Sequence, residues 1–129
     1  MIEERILADP IAKFLLERAG LTQAQLDTYL IDLVGKRDKI GLSELVSLRD
    51  RGPVKKGAFL RTLSQAHKNL MRAIHTIILA QYLGLLDKQI VTRLVEVGAL
   101  MSTIDGRTLT GEQIERIVEA LAKVTEYLR

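Results

Sequence analysis

The chain has no cysteine, no tryptophan, two prolines and only 4% aromatic residues. Without cysteine there is no disulfide framework, no thiolate metal site and no cysteine nucleophile. The scarcity of aromatics argues against the stacking platform that holds single-stranded nucleic acid. Long hydrophobic runs are missing as well. The most apolar stretch, Ile74 to Leu86, is interrupted by His75, Thr76, Gln81 and Gly84, so no membrane span is expected. Met1 to Arg5 carries two glutamates and no apolar run follows, so no signal peptide is expected and a cytoplasmic location is. There is no glycine-rich phosphate loop, nucleophile elbow or His-Glu-x-x-His pair, and neither an enzyme nor a cofactor is expected.

What remains is a chain of 129 residues, 47% of them hydrophobic, enough for one domain over residues 1–129. Its apolar residues recur at helical spacing. Asp9-Pro10 starts a helix that carries Ile11, Phe14 and Leu15 and stops at Gly20. Thr22 with Gln25 forms a capping-box pattern ahead of Leu26, Tyr29, Leu30 and Leu33, and Gly35 follows. Ser43 is placed to cap a short helix with Leu45, Val46 and Leu48, which Gly52-Pro53 ends. A long helix is predicted from Lys56 to about Leu83, with a buried stripe of Phe59, Leu63, Ala66, Leu70, Ile74, Ile77 and Ile78 and a stop at Gly84. Asp87 opens a helix with Ile90, Val91, Leu94, Val95 and Val97, and Thr110 with Gln113 opens the last, striped by Ile114, Ile117, Val118, Leu121, Val124 and Leu128. Between these two, Asp105-Gly106 marks a turn. A plain loop is favoured there over a short hairpin of Ser102–Ile104 with Arg107–Leu109. The expected fold is all-α, a compact bundle of about six helices containing a helix-turn-helix at about residues 43–72.

Charge is distributed unevenly. Residues 36–72 hold ten Lys/Arg and three acids, a net +7, whereas the remainder is net −4. A basic block inside a folded region points to a polyanion, and the competing account is a solvated face with no partner. The segment reads as a short helix, a basic turn and a second helix with apolar residues on one side and Arg61, Gln65, Lys68 and Arg72 on the other. That is the layout of a helix-turn-helix whose second helix enters the DNA major groove. Arg61 suits a guanine edge and Gln65 an adenine edge, with Ala58 and Thr62 on the same surface. Lys55 and Lys56 sit at the helix start, where free amides already favour phosphate. Arg49, Arg51, Lys68 and Arg72 are placed to grip the flanking backbone.

From Gly57 onward the chain resembles the second helix of the bacterial sigma factor region four domain and related DNA-binding regulators. That family's pattern runs Gly-Thr-Val-x-x-x-Leu-x-x-Ala-Arg-x-x-Leu, matched here by Gly57, Ala58, Phe59, Leu63, Ala66, His67 and Leu70. The resemblance covers Glu44 to Leu70. The chain departs from the family in a turn about one residue longer that contains Pro53, and in Lys55 where a capping Ser or Thr is usual. The flanking helices do not resemble a sigma factor. The resemblance therefore implies a DNA-binding module and not promoter recognition with RNA polymerase.

Other clusters are weaker. His67 and His75 lie eight residues apart with no third ligand spaced near them, so no metal site is expected. His67 is expected to face phosphate or solvent, His75 to lie beside the core, and Tyr29, Tyr82 and Tyr127 to be core-edge aromatics. Glu112, Glu115 and Glu119 read as a solvated stripe partnered by Arg116 and Lys123. The expected function is double-stranded-DNA binding, as a transcriptional regulator. The alternative is a helical interaction or scaffold protein. A homodimer is expected, joined through the last helix, the Ile74–Leu86 region, or both.

Overall fold

The computed structural model describes residues 8–47, 55–103 and 109–127. Within them it contains six α-helices, one short 3-10 turn and no strand. The helices are α1 (Pro10–Arg18), α2 (Gln23–Asp38), α3 (Leu42–Ser47), α4 (Lys56–Tyr82), α5 (Lys88–Thr103) and α6 (Gly111–Val124), followed by the 3-10 turn Thr125–Tyr127. The all-helical class is as expected. The predicted Gly52-Pro53 break, the Asp105-Gly106 turn, Leu48 and Leu128 lie outside the described residues. Ser102 and Thr103 are helical, which removes one strand of the hairpin alternative.

Most helix ends follow their capping chemistry. The Asp9 carboxylate accepts from the amides of Ile11 (2.9 Å) and Ala12 (3.2 Å), with Pro10 in the first turn. Thr22 and Thr110 each complete a capping box with the glutamine three residues on. Gly84, at φ +71°, closes α4. The Leu85 amide donates to the Ala80 carbonyl (2.9 Å) and the Gly84 amide to that of Gln81 (3.2 Å), the paired bonds of a Schellman motif. Two helix ends differ from the expectation. Gly35 does not end α2: the helix continues to Asp38, Gly35 lies buried within it, and Lys39 adopts the left-handed conformation instead. Ser43 falls inside α3 rather than before it.

Contacts divide the chain into two compact units, Met1–His75 and Thr76–Arg129, with the division inside α4. In the first unit Ile31 of α2, Val46 of α3 and Phe59 of α4 form a buried cluster, edged by Ile40 and Leu42. Full burial of Phe59 contributes about 1.5–3 kcal/mol. The buried side of α2 is not the predicted leucine stripe. It carries Asp27, Thr28, Ile31, Asp32 and Gly35, while Leu26, Tyr29 and Leu30 are half-buried and Leu33 is exposed. In the second unit Ile90 of α5 and Ile117 of α6 are buried, and Ile114, Val118, Leu121 and Val124 are half-buried. The stripe of the last helix is thus largely covered within its own unit. The stripe of α4 is not. Phe59 and Ala66 are buried and Leu63 is half-buried, but Leu70, Ile74, Ile77 and Ile78 are exposed.

Candidate nucleic-acid interface

Helix α4 contains four Lys/Arg and no Asp or Glu in 27 residues. Arg61, Gln65, Lys68 and Arg72 recur at steps of four, three and four, so they share one face, opposite Phe59 and Ala66. All four are exposed. Lys55, Lys56 and Ala58 are exposed at the helix start. Thr62 is half-buried and its hydroxyl donates to the Ala58 carbonyl (3.0 Å), which leaves that oxygen to a ligand only as an acceptor. Arg49 and Arg51, the remaining candidates, lie outside the described residues.

The start of α4 is electrostatically one-sided. Its first closed turn is the bond from the Phe59 amide to the Lys55 carbonyl (3.0 Å), and no acid stands in that turn. Two lysines at a helix N-terminus add to the positive end of the helix dipole instead of neutralising it. Among the described residues, Lys55, Lys56, Arg61 and Lys68 carry no ion pair. Two cations near the end of α2 are already engaged. Lys36 pairs with Asp32 at 3.1 Å. Arg37 hydrogen-bonds Asp38 at 3.1 Å, and that bond, with the attraction of the carboxylate, raises its affinity for its proton.

Lys68 and Arg72 also border an open concavity of about 400 Å³, completed by Gln25, Gln65 and Asn69. Among the described residues its lining holds two cations, three amides and no carboxylate. The Gln25 side-chain oxygen accepts from the Thr22 amide (3.1 Å) and from the Asn69 side-chain nitrogen (3.0 Å), which ties α4 to the first turn of α2. Two residues before Asn69, His67 meets Tyr29 edge-on, with ring centroids 4.7 Å apart. His67 therefore faces α2 rather than phosphate or solvent, because an aromatic partner lies within reach. His75 is exposed rather than beside the core, and Tyr82 is 86% exposed rather than at a core edge.

Gln25 is the site residue that the sequence reading missed. Its capping role is legible three residues away, but its contact with Asn69 spans 44 residues and leaves no local signal. Among the described residues, no group of three or more His, Asp or Glu is placed to hold a metal ion, and no helix is long and apolar enough to cross a membrane. In the acidic stripe of α6, Glu112 pairs with Arg116 (2.6 Å) and Glu119 with Lys123 (3.3 Å), as expected for those two. No protein-family model, curated protein or solved structure matches the chain.

Proposed function

We propose that the chain is a non-catalytic, cytoplasmic double-stranded-DNA-binding protein, a transcriptional regulator that reads DNA with the first half of α4. The observation that carries this reading is the exposed face of Arg61, Gln65, Lys68 and Arg72, on a helix that has no Asp or Glu, behind a helix start occupied by Lys55 and Lys56. A phosphate at that start offsets charge that the fold leaves unbalanced. Arg61 and Gln65 supply bidentate base contacts, and Lys68 and Arg72 hold the backbone. The packing of Val46 of α3 with Phe59 of α4, and the resemblance of residues 44–70 to a helix-turn-helix, support the same reading.

Fluorescence anisotropy on random duplex across a salt series tests it. Affinity is expected to fall steeply with salt, with a slope of about −0.9 per phosphate neutralised. Lys68→Ala is expected to weaken binding on all sequences and to flatten that slope by about one. Arg61→Ala or Gln65→Ala is expected to relax the preference at one base position by about 1–3 kcal/mol. An absence of binding at low salt overturns the reading. Arg61 and Gln65 variants that keep the parent's sequence preference overturn the assignment of the recognition face.

A further inference from the structure

The second unit displays an apolar surface that it does not cover. Between Ile77 and Leu85, six large apolar side chains are between 48% and 86% exposed: Ile77, Ile78, Leu79, Tyr82, Leu83 and Leu85. Leu94 and Val95 of α5 add to them. Beside them runs an apolar groove of about 430 Å³ whose lining includes Ile77, Ile78, Tyr82, Leu86, Val91 and Leu94. From Ala73 to Leu86 the sequence has no Lys, Arg, Asp or Glu.

We infer that this surface is the contact through which two copies of the chain form a two-fold homodimer. The area fits. Ile78, Leu79, Tyr82 and Leu83 share one face at the end of α4 and present roughly 500 Å², so two copies together reach the roughly 1,000 Å² that a specific contact needs. The charge fits as well. In a two-fold contact a residue near the axis meets its own copy, so a charge there faces a like charge. A segment with none escapes that repulsion. The same lack of charge disfavours a lipid surface, which is held by a helix with cations on its polar face. The covered stripe of α6 is not needed for the dimer.

The inference is independent of DNA binding, since it is tested on the full chain without nucleic acid. Light scattering after gel filtration at micromolar concentration is expected to give twice the 14.5 kDa of one chain. Ile78→Asp and, separately, Tyr82→Asp are expected to raise the dissociation constant at least about tenfold, because each buries a charge in the dimer. Both side chains are exposed in the single chain, so the helical circular dichroism of the variants is expected to match the parent. A parent mass of one chain overturns the inference, whether the surface then meets another protein, a lipid or nothing. A dimer that persists in both variants also overturns it, by placing the contact elsewhere.

Discussion

Lys39 is the one non-glycine among the described residues with positive φ, at 56°. It ends α2 in the left-handed conformation so that the Ile40 amide can donate to the Gly35 carbonyl at 2.8 Å and Ile40 can pack on the core cluster. A side chain in that conformation costs about 1–2 kcal/mol, which glycine avoids, although glycine loses more entropy on folding. Lys39→Gly is therefore expected to stabilise the chain by about 0.5–1 kcal/mol, read from the midpoint of chemical denaturation. A midpoint unchanged or lowered would contradict the strain. This position was not legible beforehand. Gly35 carried the stop signal, yet burial on the face shared with Thr28, Ile31 and Asp32 outweighs the low helix propensity of glycine, worth about 1 kcal/mol.

At the scale of elements, local chemistry was legible and tertiary choice was not. Both capping boxes, the proline start of α1, the Gly84 stop and the extent of α4 follow from residues within one turn of each end. The buried face of α2 does not, because that helix is scarcely amphipathic, and which side is covered depends on α3 and α4 arriving from elsewhere in the sequence. The exposed face of α4 was legible by spacing alone, whereas its concavity needed Gln25 from α2. The two capping boxes are locally alike but differ in what they support. Thr110→Ala is expected to cost about 1 kcal/mol, the value of a cap. Thr22→Ala is expected to cost the same, but also to loosen Gln25 beneath Asn69 and so slow the exchange of fewer α4 amides. Hydrogen exchange that distinguishes the two variants only within their own helices would argue against that link.

At the scale of the whole molecule, the chain combines a cation-only stretch with a charge-free one in a single helix, without an acid between Lys56 and Tyr82. The charge-free stretch has a thermal consequence. Burial of apolar surface is driven by entropy near room temperature and weakens on cooling. Ionic contacts to phosphate do not share that dependence. An assembly held only by Ile77 to Leu85 and their neighbours is therefore expected to be cold-labile. Sedimentation at 4 °C should find a larger share of single chains than at 25 °C, and calorimetric dilution should return a negative heat-capacity change on association. Chilling would separate the copies while leaving the cationic face as it was.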